Sequence, residues 1–206
     1  MTFRPYVRRL ATVAVGAFLA VVVLAACSNG PADPGPPAAK RGGRVLFVSL
    51  GGDETAGSDL DFPAVVESRW TQVLYRSAFP TRAVHLNLAG DQQSIGDGER
   101  TQLQLAVEAR PTVAAVWFGN GYEEAIATPV DVFQADLSTI VQGLKAAGAR
   151  VFVATDTGTV YEDAIARVVA DEQVTGVSVA SLSDPLGVAG HAEAARRFGA
   201  AIGKVP

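Results

Sequence analysis

The sequence predicts an α/β domain built as a three-layer sandwich, with a five-stranded parallel sheet between two layers of helices. Five short apolar segments alternate along the chain with segments of helical periodicity, which is the order of a parallel sheet with crossover helices. The apolar segments are mostly hydrophobic throughout, as expected of strands that are covered on both faces. The predicted strands are Arg44–Leu50, Ala83–Leu88, Val113–Phe118, Val151–Ala154 and Val174–Ala180.

Helical spacing of apolar residues follows most of the predicted strands. It is clearest where Phe133, Leu137, Ile140, Val141 and Leu144 recur on one face, with Gly148 at the position of a C-cap. Weaker stripes begin at Val66, Ala164 and His191. In open α/β sheets ligands bind outside the carboxyl ends of the strands. The loops predicted at that edge are Gly51–Phe62, Ala89–Glu99, Gly119–Pro129, Thr155–Val160 and Ser181–Ala189.

The first residues predict export. Three arginines lie within the first nine residues, and no charged side chain occurs from Leu10 to Ala26. A basic start followed by a short apolar stretch is typical of a secretory signal peptide, and about 17 apolar residues are few for a membrane-spanning helix. The stretch ends in Leu24-Ala25-Ala26-Cys27, which resembles the lipobox of bacterial lipoproteins. An uncleaved N-terminal anchor is the alternative.

These features divide the chain into three parts: a signal peptide (1–26), a lipidated Cys27 with a flexible linker (27–43), and a domain (44–206). Cys27 is the only cysteine, so no disulfide is available and lipidation is the predicted use of the thiol. Residues Ser28–Gly43 are rich in Pro, Gly and Ala and predict a tether. The predicted location is the outer side of the cell membrane, to which the lipid anchors the chain.

The charge balance excludes one class of partner. The formal net charge is −4, and the mature chain is more acidic still because the signal peptide carries three arginines and no acid. An acidic surface repels the phosphate backbone of nucleic acids, so no nucleic-acid partner is predicted.

Three sequence blocks carry a family resemblance. Gly51-Gly52-Asp53-Glu54 follows the first strand, Gly119-Asn120 follows the third, and Asp184 precedes a helix that contains Gly190-His191. In this order they resemble the blocks of the SGNH (GDSL-type) hydrolases. The resemblance implies a flavodoxin-like sheet. It also implies acyl-ester hydrolysis by a serine, a histidine oriented by an aspartate, and an oxyanion site formed by backbone N–H groups and an asparagine.

The chain departs from that pattern at the catalytic positions. Glu54 stands at the nucleophile position, where a carboxylate would form an anhydride rather than an ester intermediate. The family's catalytic histidine is expected near Gly187 and is absent. His191 matches the trailing histidine of the last helix; it is either a hydrogen-bonded core residue or, because the first turn faces the crevice, a site residue. His85, inside a strand, is expected to serve the core or the surface.

The oxyanion positions also shift. The position of the oxyanion glycine falls on Gln92 by the simplest count, with Gly90 two residues earlier, and the asparagine position falls on Gly121 or on Asn120. The degenerate site predicted from the resemblance therefore consists of Asp53, Glu54, Gly90, Asn120, Asp184 and His191.

Other uses of the crevice residues remain as alternatives. Asp53, Glu54, Asp59 and Asp61 could hold a calcium-like cation, although no metal site or cofactor is predicted. Glu54 and Asp184 could form an acid/base pair. For Tyr122, Glu123 and Glu124 the default is solvated loop residues, with ligand contact as the alternative, and Trp70 and Trp117 are expected to pack in the core.

Two functions follow from the sequence. One is an envelope-anchored lipoprotein with an esterase-type SGNH-like domain whose nucleophile serine and catalytic histidine are not in place. The other is a non-catalytic binding lipoprotein that uses the same crevice for an envelope glycan, a peptide or another small ligand.

Overall fold

The computed structural model describes residues 45–182, 186–203 and 205, all of which belong to a compact unit that runs from Gly43 to Pro206. The predicted signal peptide, Cys27, the linker and Asp184 lie outside the described residues. The described residues form the predicted five-stranded parallel sheet, and the order of its strands is β2-β1-β3-β4-β5. The strands are β1 (Leu46–Gly51), β2 (Val84–Asn87), β3 (Val113–Trp117), β4 (Arg150–Thr155) and β5 (Thr175–Ser178).

Nine α-helices and one π-helical segment occur among the described residues. The helices are α1 (Asp53–Ala56), α2 (Ala64–Glu67), α3 (Trp70–Ala78), α4 (Ile95–Asp97), α5 (Leu103–Ala109), α6 (Gly121–Ala125), α7 (Val130–Ala146), α8 (Glu162–Asp171) and α9 (Gly187–Ile202). The π-helical segment Gly98–Gln102 joins α4 to α5. In the described part of the chain, no helix has the length and apolar character needed to span a bilayer.

The two faces of the sheet bury separate apolar clusters, which makes the fold a three-layer sandwich. Phe47 of β1 packs on one face with Trp70 of α3 and Phe198 of α9, and the next residue, Val48, packs on the other face with residues of α7 and α8. This alternation follows from the pleat of a strand, in which successive side chains point to opposite faces. Burial on both faces explains why β1, β3 and β4 are mostly apolar, whereas the edge strands β2 and β5 are more exposed.

Several predicted loops contain short helices. α1 lies within the predicted loop Gly51–Phe62, α4 within Ala89–Glu99, and α6 within Gly119–Pro129. Helices of three to five residues are too short to show a 3.6-residue period, so apolar spacing does not reveal them. The last helix also begins earlier than its apolar stripe, at Gly187.

The strand order places a crevice between β1 and β3. β1 connects outward to β2 on one side, whereas the chain returns past β1 to form β3, β4 and β5 on the other side. The loops that follow β1 and β3 therefore leave the sheet in divergent directions. Such a switch point is where open α/β sheets bind ligands.

Candidate ligand pocket at the carboxyl edge of the sheet

Glu54 reaches this crevice because the chain turns into α1 directly after β1. A Cβ atom on Gly51 would lie 2.4 Å from both the Thr55 hydroxyl and the Trp117 carbonyl oxygen, so only glycine fits at the start of the turn. The buried Gln102 carboxamide holds the backbone of Gly51 on both sides: it accepts a hydrogen bond from the N–H at 2.9 Å and donates one to the carbonyl at 3.0 Å. Gln102 thus satisfies two backbone groups that would otherwise be buried without partners.

The other end of α1 is anchored by two side chains from different elements. The Asn87 amide donates to the Thr55 carbonyl at 3.3 Å, and the Arg69 guanidinium donates to the Ala56 carbonyl at 3.2 Å. Carbonyls in the last turn of a helix lack partners inside the helix. These contacts hold a helix of only four residues in place, and with it the position of Glu54.

Glu54 and Asn120 meet across the crevice. The Asn120 side-chain amide donates a hydrogen bond to the Glu54 carboxylate. Asn120 is also the N-cap of α6, since its side-chain oxygen accepts a hydrogen bond from the Glu123 N–H at 3.4 Å. Asn120 is only 6% exposed, so its orientation is set by these two contacts. The amide group that the resemblance assigns to an oxyanion is therefore bonded to a carboxylate of the chain itself.

A pocket of about 400 Å³, counting the space open to solvent at its mouth, surrounds this pair. Side chains and backbone after β1, β3, β4 and β5 contribute to it, which is the edge predicted from the sequence. The described lining residues are Glu54, Trp117, Asn120, Gly121, Thr157, Thr159, Val179, Leu182 and Leu186. Trp117 packs against Trp70 and Phe198 in the core, as expected, and also forms part of the pocket wall.

Two threonines on the β4 side of the pocket were not singled out from the sequence. The Thr159 hydroxyl donates to the Gly119 carbonyl at 2.9 Å, and the Thr157 and Thr159 hydroxyl oxygens are 3.0 Å apart. Thr159 has one hydrogen and gives it to Gly119, so Thr157 must be the donor between the two hydroxyls. The position of both residues directly after β4 was the available sequence signal.

Glu123 is not the solvated loop residue or the ligand contact that the sequence suggested. It is 1% exposed and does not belong to the described lining of the pocket. Its carboxylate accepts hydrogen bonds from the Thr128 hydroxyl at 2.7 Å and from the Ile95 N–H at 2.9 Å. Burial raises the pKa of Glu123 above its ordinary value, against the opposing effect of these hydrogen bonds. Glu123 ties α6 to the start of α4.

His191 is fully buried and does not belong to the described pocket lining. Its Nδ1 accepts a hydrogen bond from the Trp70 N–H at 3.3 Å, and its Nε2 lies 2.8 Å from the Asp59 carboxylate. Because Nδ1 is an acceptor, the proton of the neutral ring is on Nε2, which donates to Asp59. This geometry corresponds to the hydrogen-bonded core histidine of the two alternatives, and both ring nitrogens are engaged within the fold.

Asp59 was the partner of His191 that the sequence did not reveal. Its second carboxylate oxygen accepts a hydrogen bond from the Gly187 N–H at 2.6 Å, so Asp59 fastens the loop after α1 to the start of α9. Partial burial by itself would raise the pKa of Asp59. The hydrogen bonds from His191 and Gly187 outweigh that effect and lower the pKa below its ordinary value. A separation of 132 residues explains why no local motif pointed to this pair.

Gly90 and Gln92, the candidates for the oxyanion glycine position, follow β2. The Asp53 carboxylate accepts a hydrogen bond from the Gln92 N–H at 2.5 Å, which joins the loops after β1 and β2. Neither Gly90, Gln92 nor Asp53 belongs to the described lining. Asp184, and with it the Glu54–Asp184 pair, lies outside the described residues.

The acids of the first loop do not converge. The Asp53 carboxylate accepts a hydrogen bond from Gln92, Glu54 accepts one from Asn120, and Asp59 accepts from both His191 and Gly187, so the three carboxylates are bonded to different parts of the chain. Within the described ranges no group of three or more His, Cys, Asp or Glu side chains could hold a metal ion. The described part of the loop therefore does not bring together the carboxylates that the calcium-like alternative relied on.

A serine and a histidine do meet elsewhere, in β1 and β2. The Ser49 hydroxyl donates to the Asn87 side-chain oxygen at 2.8 Å, and His85 Nε2 lies 3.1 Å from the same hydroxyl. The Ser49 proton is given to Asn87, so His85 must donate to Ser49 rather than accept from it. Ser49 is also completely buried. The pair is therefore a structural hydrogen bond. In a nucleophile–base pair the serine hydroxyl would donate to the histidine, and here the histidine donates to the serine.

No protein-family model matches the chain, and no curated protein matches it either. Solved structures do match. An acetyl-xylooligosaccharide esterase from Geobacillus stearothermophilus, in a variant form, has a TM-score of 0.63 at 15% identity, and the match covers 78% of this chain and 95% of the esterase.

Two further structures have the same fold. A Desulfitobacterium hafniense DCB-2 protein, described as lipolytic and of the G-D-S-L family, has a TM-score of 0.59 at 13% identity, with 76% of this chain and 99% of that chain covered. The Bacillus subtilis protein YxiM has a TM-score of 0.59 at 14% identity, with 77% of this chain and 56% of that chain covered. The domain has an SGNH-hydrolase-like fold, as its motifs predicted. Activity does not transfer with a fold.

Proposed function

We propose that the chain is an envelope-anchored lipoprotein whose SGNH-like domain binds a small ligand in the Glu54–Asn120 pocket and does not hydrolyse acyl esters. The observation that carries this proposal is the hydrogen bond between the Glu54 carboxylate and the Asn120 amide. The amide that the resemblance assigns to the oxyanion is bonded to a carboxylate, and a carboxylate beside it would repel the charge that an ester oxygen develops in an acyl transfer.

The histidines support the same proposal. The sequence contains two, and both are described. His191 is hydrogen-bonded to Trp70 and Asp59, and His85 of β2 is hydrogen-bonded to Ser49 of β1. Neither histidine is therefore arranged as a general base in the pocket. A general base must lie within hydrogen-bond reach of the proton that it removes. Glu54 is the only titratable side chain in the described lining.

Hydrolysis of p-nitrophenyl acetate tests the absence of acyl transfer. We expect the purified chain, solubilised in a neutral detergent, to give the rate of buffer alone, and the Glu54→Ala variant to give the same rate. Turnover that depends on Glu54 would overturn the non-catalytic proposal and would restore the esterase as the function of the domain. A thermal-shift screen against envelope glycans and small cations tests the binding function, because a ligand of the folded state raises Tm.

The anchor is tested separately. Acylation of Cys27 predicts that the mature N-terminus is a diacylglyceryl-cysteine, which mass spectrometry of the N-terminal peptide detects. A Cys27→Ala variant is expected to lose this modification and the processing that depends on it. Unchanged processing in this variant would contradict lipidation and favour an uncleaved N-terminal anchor or another cleavage route.

A further inference from the structure

Resting on the proposed binding function, we infer that the ligand of this pocket is a small organic amine, bound as its ammonium form through Glu54 with an apolar body against the far wall. The charge of the lining supports this class. Glu54 carries the only formal charge among the described lining residues, and it is negative. An acidic group in a partly enclosed pocket attracts cations and repels anions more strongly than it would in water.

The hydroxyl groups of the pocket favour a ligand that donates hydrogen bonds. The Thr159 hydrogen is given to the Gly119 carbonyl and the Thr157 hydrogen is given to Thr159. Thr157 therefore offers a ligand its lone pairs and no hydrogen. Glu54 is an acceptor when ionised, and one amide hydrogen of Asn120 is already bonded to it. An ammonium group brings three donors to the acceptor oxygens of Glu54 and Thr157.

The described lining residues that follow β5 are apolar. Val179, Leu182 and Leu186, from the segments that follow β5, face the same space as Trp117. A ligand that carried only charge would leave this surface in contact with water. An alkyl or ring substituent on the amine would bury it, and an aromatic side chain beside a cation adds a further attraction.

Titration of the detergent-solubilised chain at pH 7.5 with pentylamine, pentanol and pentanoate tests the inference. The three probes share one carbon skeleton and differ in charge. Trp117 lines the pocket, so tryptophan fluorescence reports occupancy, and the shift in Tm is a second readout. We expect pentylamine to bind saturably and at least about tenfold more tightly than pentanol or pentanoate, because hydrogen bonds between charged partners are the strong ones.

Variants assign the effect to the pocket. Glu54→Gln keeps the shape of the side chain and is expected to weaken pentylamine binding about tenfold or more, and Thr157→Val to weaken it severalfold. Glu108→Gln is the matched control: it removes the same charge from the exposed surface of α5 and is expected to leave binding unchanged. Far-UV circular dichroism establishes that each variant is folded.

The outcomes separate the inference from the proposed function. Equal binding of pentanol or pentanoate, an absent response to pentylamine, or a response that Glu54→Gln does not change would each overturn the amine as the ligand class. A glycan that raised Tm through the same pocket would then leave the binding function standing. Ester turnover that depends on Glu54 would instead overturn the proposed function itself.

Discussion

Asp59 and His191 are joined by a 2.8 Å hydrogen bond that fastens the loop after β1 to the last helix. His191 is completely buried, and the Asp59 side chain is 16% exposed. Asp59 also accepts a hydrogen bond from the Gly187 N–H, and the residue before Gly187 in the sequence, Leu186, lines the pocket. His191, which matched the trailing histidine of the last helix, thus holds the loop and the helix that border the pocket together.

Asp59→Asn is expected to destabilise the domain by about 2 kcal/mol, because the charged acceptor of two hydrogen bonds is replaced by a neutral group with only one accepting atom. Urea unfolding followed by circular dichroism measures this change. Asp61→Asn, two residues away in an exposed position, is the control and is expected to change stability by less than about 0.5 kcal/mol.

The same variant has a defined pH dependence. The fold lowers the pKa of Asp59 below its ordinary value of 3.8. The carboxylate therefore contributes stability above that value, and the contribution is lost as the pH falls through the lower folded pKa. The stability difference between the wild type and Asp59→Asn should shrink in this acidic range. A difference that stayed constant down to pH 2 would contradict the role of the ionised carboxylate.

His85 is expected to make the domain more stable at neutral pH than in mild acid. Burial, together with the charge of Arg69, lowers the pKa of His85 from 6.5 to about 4. The unfolded chain binds the proton more readily, so stability falls as the pH drops from about 6.5 towards 4, by up to roughly 3 kcal/mol. His85→Phe, which keeps a ring against Phe47, should remove this component of the slope. An NMR titration of the imidazole that gave a pKa near 6.5 would contradict it.

Gln102→Leu is expected to destabilise the domain by about 2–4 kcal/mol, because it leaves the N–H and the carbonyl of Gly51 buried without their partner. Gln104→Leu, on the exposed surface of the following helix, is the control and should have an effect of less than about 0.5 kcal/mol. Equal effects of the two substitutions in urea unfolding would show that the carboxamide of Gln102 has no special role.

Glu123→Gln is expected to cost about 1–3 kcal/mol, since the new amide nitrogen cannot accept one of the two hydrogen bonds that the carboxyl group receives. Because the fold raises the pKa of Glu123, its stabilising contribution is fully present below its ordinary value of 4.5 and declines as the pH rises through the folded value. The loss measured by urea unfolding should therefore be larger at pH 4 than at pH 7. Glu124→Gln, at an exposed position, serves as the control.

The predictability of each element follows from where its interactions lie. The strands and the long helix α7 were visible in the sequence because burial requires apolar residues at regular spacing, and Phe133, Leu137 and Leu144 are indeed buried. The short helices α1 and α6 were not visible. They depend on side chains from other elements, such as Asn87 and Arg69 at the end of α1.

The candidate site was predicted in part. Glu54 and Asn120 were expected at the crevice because they follow β1 and β3, and the structure brings them together. Thr157 and Thr159 were missed, since threonines after a strand carry no distinctive pattern. Glu123 was assigned to a solvated loop, or to ligand contact, because it lies in the loop predicted after the third strand. The lipid anchor at Cys27 stays a prediction.

The amino-acid sequence by itself determined the three-layer α/β architecture, the order of its elements and the edge at which the pocket lies, because each depends on local periodicity and on general rules of chain connection. Only the tertiary structure decided what the polar residues do. His191 has a structural role because Asp59 and Trp70, which are distant in the sequence, form hydrogen bonds with it. Glu54 is hydrogen-bonded to Asn120. A hydrogen bond joins atoms in space, and spacing along the chain does not specify those atoms.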